Sequence, residues 1–264
     1  MIRKELQQRM RDRRAWLLPT LYLLALGGAV AFAFYDAAGS GDRGSDVQGA
    51  EIGQAMFTAA IITQMAVLLL LAPAFSAGGL TIEKEQRTLA GLLTSLLEPK
   101  DIWWGKFVCS FLFLCVLQLS ALPVLSLSFA FGGIGPREVL TATGVTMLIV
   151  ASLCAIGLWC SSFFRRSVHA TAAAYGIIIA LSIVTLVLSS ILEALFKNPG
   201  SFEDQPFYVV LPILLNPFTP LVGLFNMDVH KNFYWGASLL FYAAAACLAA
   251  AGAIRNIRRS GEQV

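Results

Sequence analysis

Long apolar runs alternate with short polar segments along the whole chain. Six runs contain no Asp, Glu, Lys or Arg, and they cover residues 16–35, 53–76, 107–131, 139–164, 168–192 and 233–254. An α-helix needs about 20 apolar residues to cross a hydrocarbon core of about 30 Å. The pattern therefore predicts an all-α, polytopic membrane protein with six transmembrane helices in a single transmembrane domain, residues 1–264.

The composition supports this interpretation. Hydrophobic residues make up 57% of the chain and charged residues 13%, whereas a soluble domain carries about 25% charged residues. The five cysteines all lie within apolar runs, where we expect them to pack as small apolar side chains.

The distribution of Lys and Arg predicts the orientation. Segments 1–15, 77–106, 165–167 and 255–264 hold 15 of the 19 basic residues and have a net charge of +8, whereas the segments on the opposite side have a net charge of −5. Basic residues accumulate on the cytoplasmic side of membrane proteins. We therefore expect both termini to lie in the cytoplasm.

The N-terminal segment 1–15 is basic and helix-prone. Ile2, Leu6 and Met10 are four residues apart and share one helical face. This pattern favours an interfacial helix held by its apolar stripe and its cations, and a solvated basic tail is the alternative.

Segment 193–232 is apolar but interrupted by proline. Pro206, Pro212, Pro217 and Pro220 each remove a helix hydrogen-bond donor, so a straight span is not expected. We predict an external re-entrant segment with two short helices between spans five and six.

Segment 77–106 predicts an amphipathic helix over residues 83–97. Five leucines follow one helical stripe: Leu89, Leu92, Leu93, Leu96 and Leu97. Pro99 would end this helix, Trp103 and Trp104 would mark the membrane interface, and Lys106 would extend its ammonium to the membrane surface. We interpret the helix as cytoplasmic, parallel to the membrane and suited to docking a partner, with a plain connector as the alternative.

The pattern E-x-E-x-x-T-L-x-x-L-L-T-S in this segment resembles the cytoplasmic segment of ABC-2 type transporter permeases, although Gln86-Arg87-Thr88 departs from the usual pattern before the leucines. The resemblance extends to the Lys4-Glu5-Leu6 start, the six spans and the broken external segment. It implies that 77–106 is a coupling segment against a cytosolic ATPase. The implied docking residues are Glu83, Glu85, Arg87, Thr88, Leu89, Leu92, Leu93 and Thr94.

The resemblance also implies partners. The sequence contains no G-x-x-x-x-G-K-[ST] motif, so ATP and Mg would be bound by a separate ABC ATPase chain. Six spans would form half of a pathway, which implies a second permease subunit, identical or related. We expect no catalytic residue, cofactor or metal in this chain, and no nucleic-acid partner.

The spans lack the intramembrane charge that ion-coupled carriers use, which favours an ATP-driven exporter. Gln54, Thr58, Gln64 and Gln118 are candidates for lining an export pathway, although hydrogen bonding between helices is the more common role of such residues. A membrane enzyme would need clustered polar groups, and the chain has only two histidines. The alternative function is a six-span scaffold that anchors an assembly without transport.

Overall fold

The computed structural model describes residues 14–40, 46–86, 98–196, 212, 214–222 and 231–261. All regular structure in these residues is helical. The helices are α1 (Arg14–Ser40), α2 (Asp46–Ser76), α3 (Thr81–Glu85), α4 (Pro99–Ser120), α5 (Leu122–Ser126), α6 (Pro136–Phe163), α7 (Ser167–Ile179), α8 (Thr185–Phe196), α9 (Thr219–Val222) and α10 (Lys231–Gly261). The predicted interfacial helix over 1–15 lies almost entirely outside the described residues.

Six stretches of these helices are long and apolar enough to cross a membrane, which confirms the predicted six-span, all-α architecture. α6 is the most buried of them and packs most extensively against α10 and α2. α1 packs mainly on α2. α1 and the α7–α8 span bury the smallest shares of their length.

The third span begins earlier than its apolar run and ends in a broken helix. Pro99 is the first residue of α4, a position that suits proline because a first-turn N–H needs no helical partner. At the other end a turn at Ala121 separates α4 from α5, and a 3₁₀-helix, Leu127–Phe131, follows. Gly132 and Gly133 then adopt φ values of 82° and 80°, which glycine tolerates without steric cost. These glycines form the turn that leads into α6, and Pro136 is the first residue of that helix.

The fifth span contains a π-helical turn, Ala180–Val184, between α7 and α8. A π-turn widens the helix and leaves carbonyl groups without their usual partners. The Nδ2 atom of Asn216 donates to the Ser182 carbonyl at 3.1 Å. Part of the predicted external segment thus packs against this turn.

The described part of that external segment is also fixed to α10. Ser238 Oγ donates to the Leu214 carbonyl at 2.6 Å, and Tyr242 Oη donates to the Leu215 carbonyl at 2.7 Å. One short helix, α9, follows. The rest of the segment, where a second short helix is predicted, lies outside the described residues.

Two clusters of buried apolar side chains hold the bundle together. The larger one includes Tyr22, Met65, Leu114 and Ile149 from four spans. The smaller one lies near the turn that joins α6 to α7 and includes Leu80, Trp103, Leu158 and Ala253. We call the end of the bundle that holds this turn, residues 164–166, the basic end, and the opposite end the acidic end.

Candidate functional site: the junction at the basic end

The short helix α3 is fixed to the end of α6 by a serine. The backbone N–H groups of Leu80 and Thr81 both donate to Ser161 Oγ at 3.0 Å. Leu80, Thr81 and Ser161 are each 0% exposed. Since the first N–H groups of a helix have no partner within it, Ser161 satisfies the start of α3 and holds it against α6.

Lys84 caps the C-terminal end of α6. Its Nζ atom donates to the carbonyl oxygens of Ser161 at 3.1 Å, Ser162 at 2.6 Å and Phe164 at 3.1 Å. The last carbonyls of a helix carry partial negative charge and lack helical partners, so a lysine there is favoured. One side chain of α3 therefore binds the whole last turn of α6.

Glu85 binds the opposite kind of helix end. Its Oε1 atom accepts the backbone N–H of Ser167, the first residue of α7, at 2.7 Å. The N-terminus of a helix carries partial positive charge, which favours a carboxylate. Lys84 and Glu85, which are adjacent in α3, therefore bind the C-terminal end of α6 and the N-terminal end of α7, respectively. We call this set, Lys84, Glu85, Ser161 and the 164–167 turn, the junction.

Glu83 ties α3 to α4 through Lys106. The Nζ of Lys106 lies 2.8 Å from Glu83 Oε1, and the two side chains are only 8% and 19% exposed, respectively. This corrects the expectation that Lys106 extends to the membrane surface, because the partly buried Glu83 carboxylate holds the ammonium of the buried Lys106 inside the protein. The adjacent tryptophans also differ: Trp104 is exposed, whereas Trp103 is buried in the smaller apolar cluster.

Helices approach closely beneath the junction. A Cβ atom added at Gly157 would lie 1.9 Å from Ser76 Oγ, and one added at Gly79 would lie 2.9 Å from Leu158 Cδ2. Asn256 Nδ2 donates to Ser162 Oγ at 3.1 Å and so links α10 to the same end of α6. Small residues commonly allow such contacts between transmembrane helices. The junction therefore rests on a tightly packed base.

The predicted docking residues divide into two groups. Glu85 belongs to the junction and binds the Ser167 N–H, whereas Glu83 lies beside the junction and binds Lys106. The other six lie outside the described residues: Arg87, Thr88, Leu89, Leu92, Leu93 and Thr94. Docking of an ATPase by this segment stays a prediction. Sequence reasoning missed Lys84 and Ser161, since their partners are about 80 residues away and no local spacing reports them.

The predicted pathway residues also fall in two places. Gln64 and Gln118 are buried between helices, and Gln118 Nε2 donates to the Thr143 carbonyl on α6 at 2.8 Å. Gln54 and Thr58 instead line a cleft of about 540 Å³ between α1 and α2. We call it the α1–α2 cleft. Four residues of α1 and six of α2 form it: Phe32, Ala33, Asp36, Ala37, Glu51, Gln54, Ala55, Thr58, Ala59 and Ile62.

In the described part of the chain no three His, Cys, Asp or Glu side chains lie close enough to bind a metal ion. The junction holds helix ends rather than reactive groups. Its geometry connects the short helix α3 to the spans that contain α6 and α7.

Six helices long and apolar enough to cross a membrane indicate a polytopic helical membrane protein. A family model described as ABC-2 family transporter protein matches residues 1–254, so the chain belongs to this family. The match confirms the resemblance found in the sequence. It makes the chain a membrane component of an ABC transporter, which is not itself expected to be an enzyme. A search of curated proteins gave no match.

Proposed function

We propose that the chain is the permease subunit of an ATP-driven ABC-2 exporter in a bacterial cytoplasmic membrane. Separate ATPase chains bind ATP and Mg and dock beneath it, and a second permease, identical or related, completes the pathway. Both termini lie in the cytoplasm, as the excess of basic residues at 1–15, 165–167 and 255–264 favours. Family membership supports the permease role.

The junction is the observation that carries the coupling part of the proposal. Residues 87–97, the greater part of the predicted docking helix, follow α3 directly. α3 in turn is fixed to α4, α6 and α7 by Glu83, Lys84 and Glu85. A displacement of residues 87–97 by an ATPase would therefore be passed to three spans through short polar contacts. A flexible connector would instead absorb that displacement.

The test is purification of the tagged chain from its own host in mild detergent, followed by mass spectrometry and an ATPase assay. We expect a P-loop ATPase in stoichiometric amount, with hydrolysis that vanadate inhibits. A second permease band would indicate a heterodimer. A chain that purifies without any ATPase would contradict the proposal and favour the six-span scaffold.

A further inference from the structure

The α1–α2 cleft is built from one helical face of each helix. Asp36 and Phe32 are four residues apart on α1, and Glu51, Thr58 and Ile62 follow helical spacing on α2. From Glu51 to Ile62 the wall is about 16 Å long at about 1.5 Å per residue. The volume of about 540 Å³ lies within the range of about 300–1,000 Å³ that is usual for small-molecule sites.

The cleft changes from acidic to apolar along its length. Asp36 and Glu51 lie at its outer end, just beyond the apolar runs 16–35 and 53–76. Gln54 and Thr58 come next along α2, and Ile62 lies deepest in the second apolar run. Phe32 and Ile62 are exposed in the chain, at 73% and 41%, respectively. The cleft therefore crosses the boundary between headgroups and hydrocarbon, with its charged end at that boundary.

The charged residues that line the cleft are all acidic. None of its ten lining residues is Lys, Arg or His. Within the part of the chain that the structure describes, neither Asp36 nor Glu51 has a hydrogen-bonding or ion-pairing partner. Asp36 and Glu51 are both exposed, whereas Glu83 meets Lys106 and Glu138 accepts the Gly135 N–H. Two carboxylates without a partner, beside an apolar wall, are complementary to a molecule that has both a positive charge and an apolar body.

We propose that the α1–α2 cleft binds an amphipathic cation, with its ammonium group between Asp36 and Glu51 and its apolar part against Phe32 and Ile62. Charge-assisted hydrogen bonds to the carboxylates would select the cation. Contact with the apolar wall would select a hydrophobic body over a small hydrophilic amine. Transport of such a compound rests on the proposed function, whereas binding does not, and an equilibrium titration without ATPase separates the two.

The experiment titrates the full-length purified chain in uncharged maltoside micelles with a dansyl-labelled decylamine, and in parallel with its neutral alcohol analogue. We expect saturable binding of one amine per chain, with the neutral analogue bound at least about tenfold more weakly, because charge-assisted hydrogen bonds are lost. The variants Asp36→Asn and Glu51→Gln should each weaken amine binding by about tenfold and leave the neutral analogue unaffected. Asp101→Asn, an exposed carboxylate at the basic end, is the matched control and should bind as the parent does.

A lipid headgroup and a soluble amphiphile would share this chemistry, and competition distinguishes them. Displacement of the probe by an ethanolamine phospholipid would assign the cleft to a membrane lipid, and displacement only by soluble amines would assign it to a soluble cation. Equal affinity for both probes, or amine binding that neither variant weakens, would overturn the proposal. Absence of amine binding would also overturn the proposal. If Ala37→Cys then forms disulfide-linked dimers, a second copy of the chain covers the cleft instead.

Discussion

At the scale of single residues, the contact between α2 and α6 depends on the absence of a side chain. Gly157 lies so close to α2 that an added Cβ would be 1.9 Å from Ser76 Oγ and 3.0 Å from Ser76 Cβ. The Ser76 hydroxyl also donates to the Ala72 carbonyl at 2.7 Å, so it cannot turn away without losing that bond. Between transmembrane helices, close packing of this kind supplies much of the attraction.

We predict that Gly157→Ala destabilises the protein, because α2 and α6 must separate to admit the methyl group. Overpacking of this kind typically costs about 1–3 kcal/mol. Thermal unfolding in detergent measures the loss. Gly144→Ala on the same helix is the control, since nothing lies within 4 Å of its added Cβ, and it should be neutral or slightly stabilising. Equal stability of the two variants would contradict this account of the α2–α6 contact.

The sequence does not distinguish these two glycines. Gly144 and Gly157 occupy the same apolar run, 139–164, and the same helix. Hydrophobicity predicts that the run crosses the membrane, but which glycine faces Ser76 depends on the rotation of α6 against α2. The pairing of Glu83 with Lys106 could not be predicted from local spacing either, because Lys106 is 23 residues away and lies on another helix.

At the scale of elements, the segment predicted to be external and the fifth span contact each other through Asn216. Asn216 is buried and uses both ends of its amide: Nδ2 donates to the Ser182 carbonyl at 3.1 Å, and Oδ1 accepts the Phe218 N–H at 2.9 Å. The first bond gives a π-turn carbonyl a hydrogen-bond donor, and the second fixes the backbone that leads into α9. Prolines in the sequence predicted an interruption here, but they did not indicate which carbonyl the segment would meet.

We predict that Asn216→Ala loosens residues 214–218 and the π-turn together. Loss of a buried hydrogen-bond partner costs about 1–3 kcal/mol, which corresponds to amide exchange faster by about tenfold or more where opening is local. Hydrogen-exchange mass spectrometry of peptides that cover 180–186 and 214–222 measures it. Ser190→Ala, an exposed α8 residue that bonds only within its own helix, should leave exchange unchanged. Faster exchange in only one of the two peptides would show that Asn216 does not couple them.

At the scale of the whole molecule, burial is distributed unevenly among the spans. α6 is surrounded by α2, α4 and α10, whereas α1 and the α7–α8 span leave most of their surface exposed. Composition and apolar run length were enough to predict six spans, because each run meets the length that a bilayer requires. The order of packing could not be read from them, since apolar side chains suit lipid and protein neighbours equally.

The junction has a consequence for the whole transporter, since the Lys84 ammonium binds three carbonyl groups at the end of α6. We predict that in the purified complex Lys84→Met keeps the bound ATPase and its hydrolysis but weakens the connection between α3 and α6. Three charge-assisted bonds are lost, each worth about 1.5–3 kcal/mol at most, and only the backbone bonds to Ser161 Oγ still join α3 to the end of α6. Spin labels on exposed Leu140 of α6 and Leu188 of α8 would report it. Their distance should change with nucleotide in the parent and in Lys100→Met, whose lysine is exposed beside Glu98, and should change clearly less in Lys84→Met. A nucleotide-dependent change of parental size in Lys84→Met would show that coupling bypasses the junction.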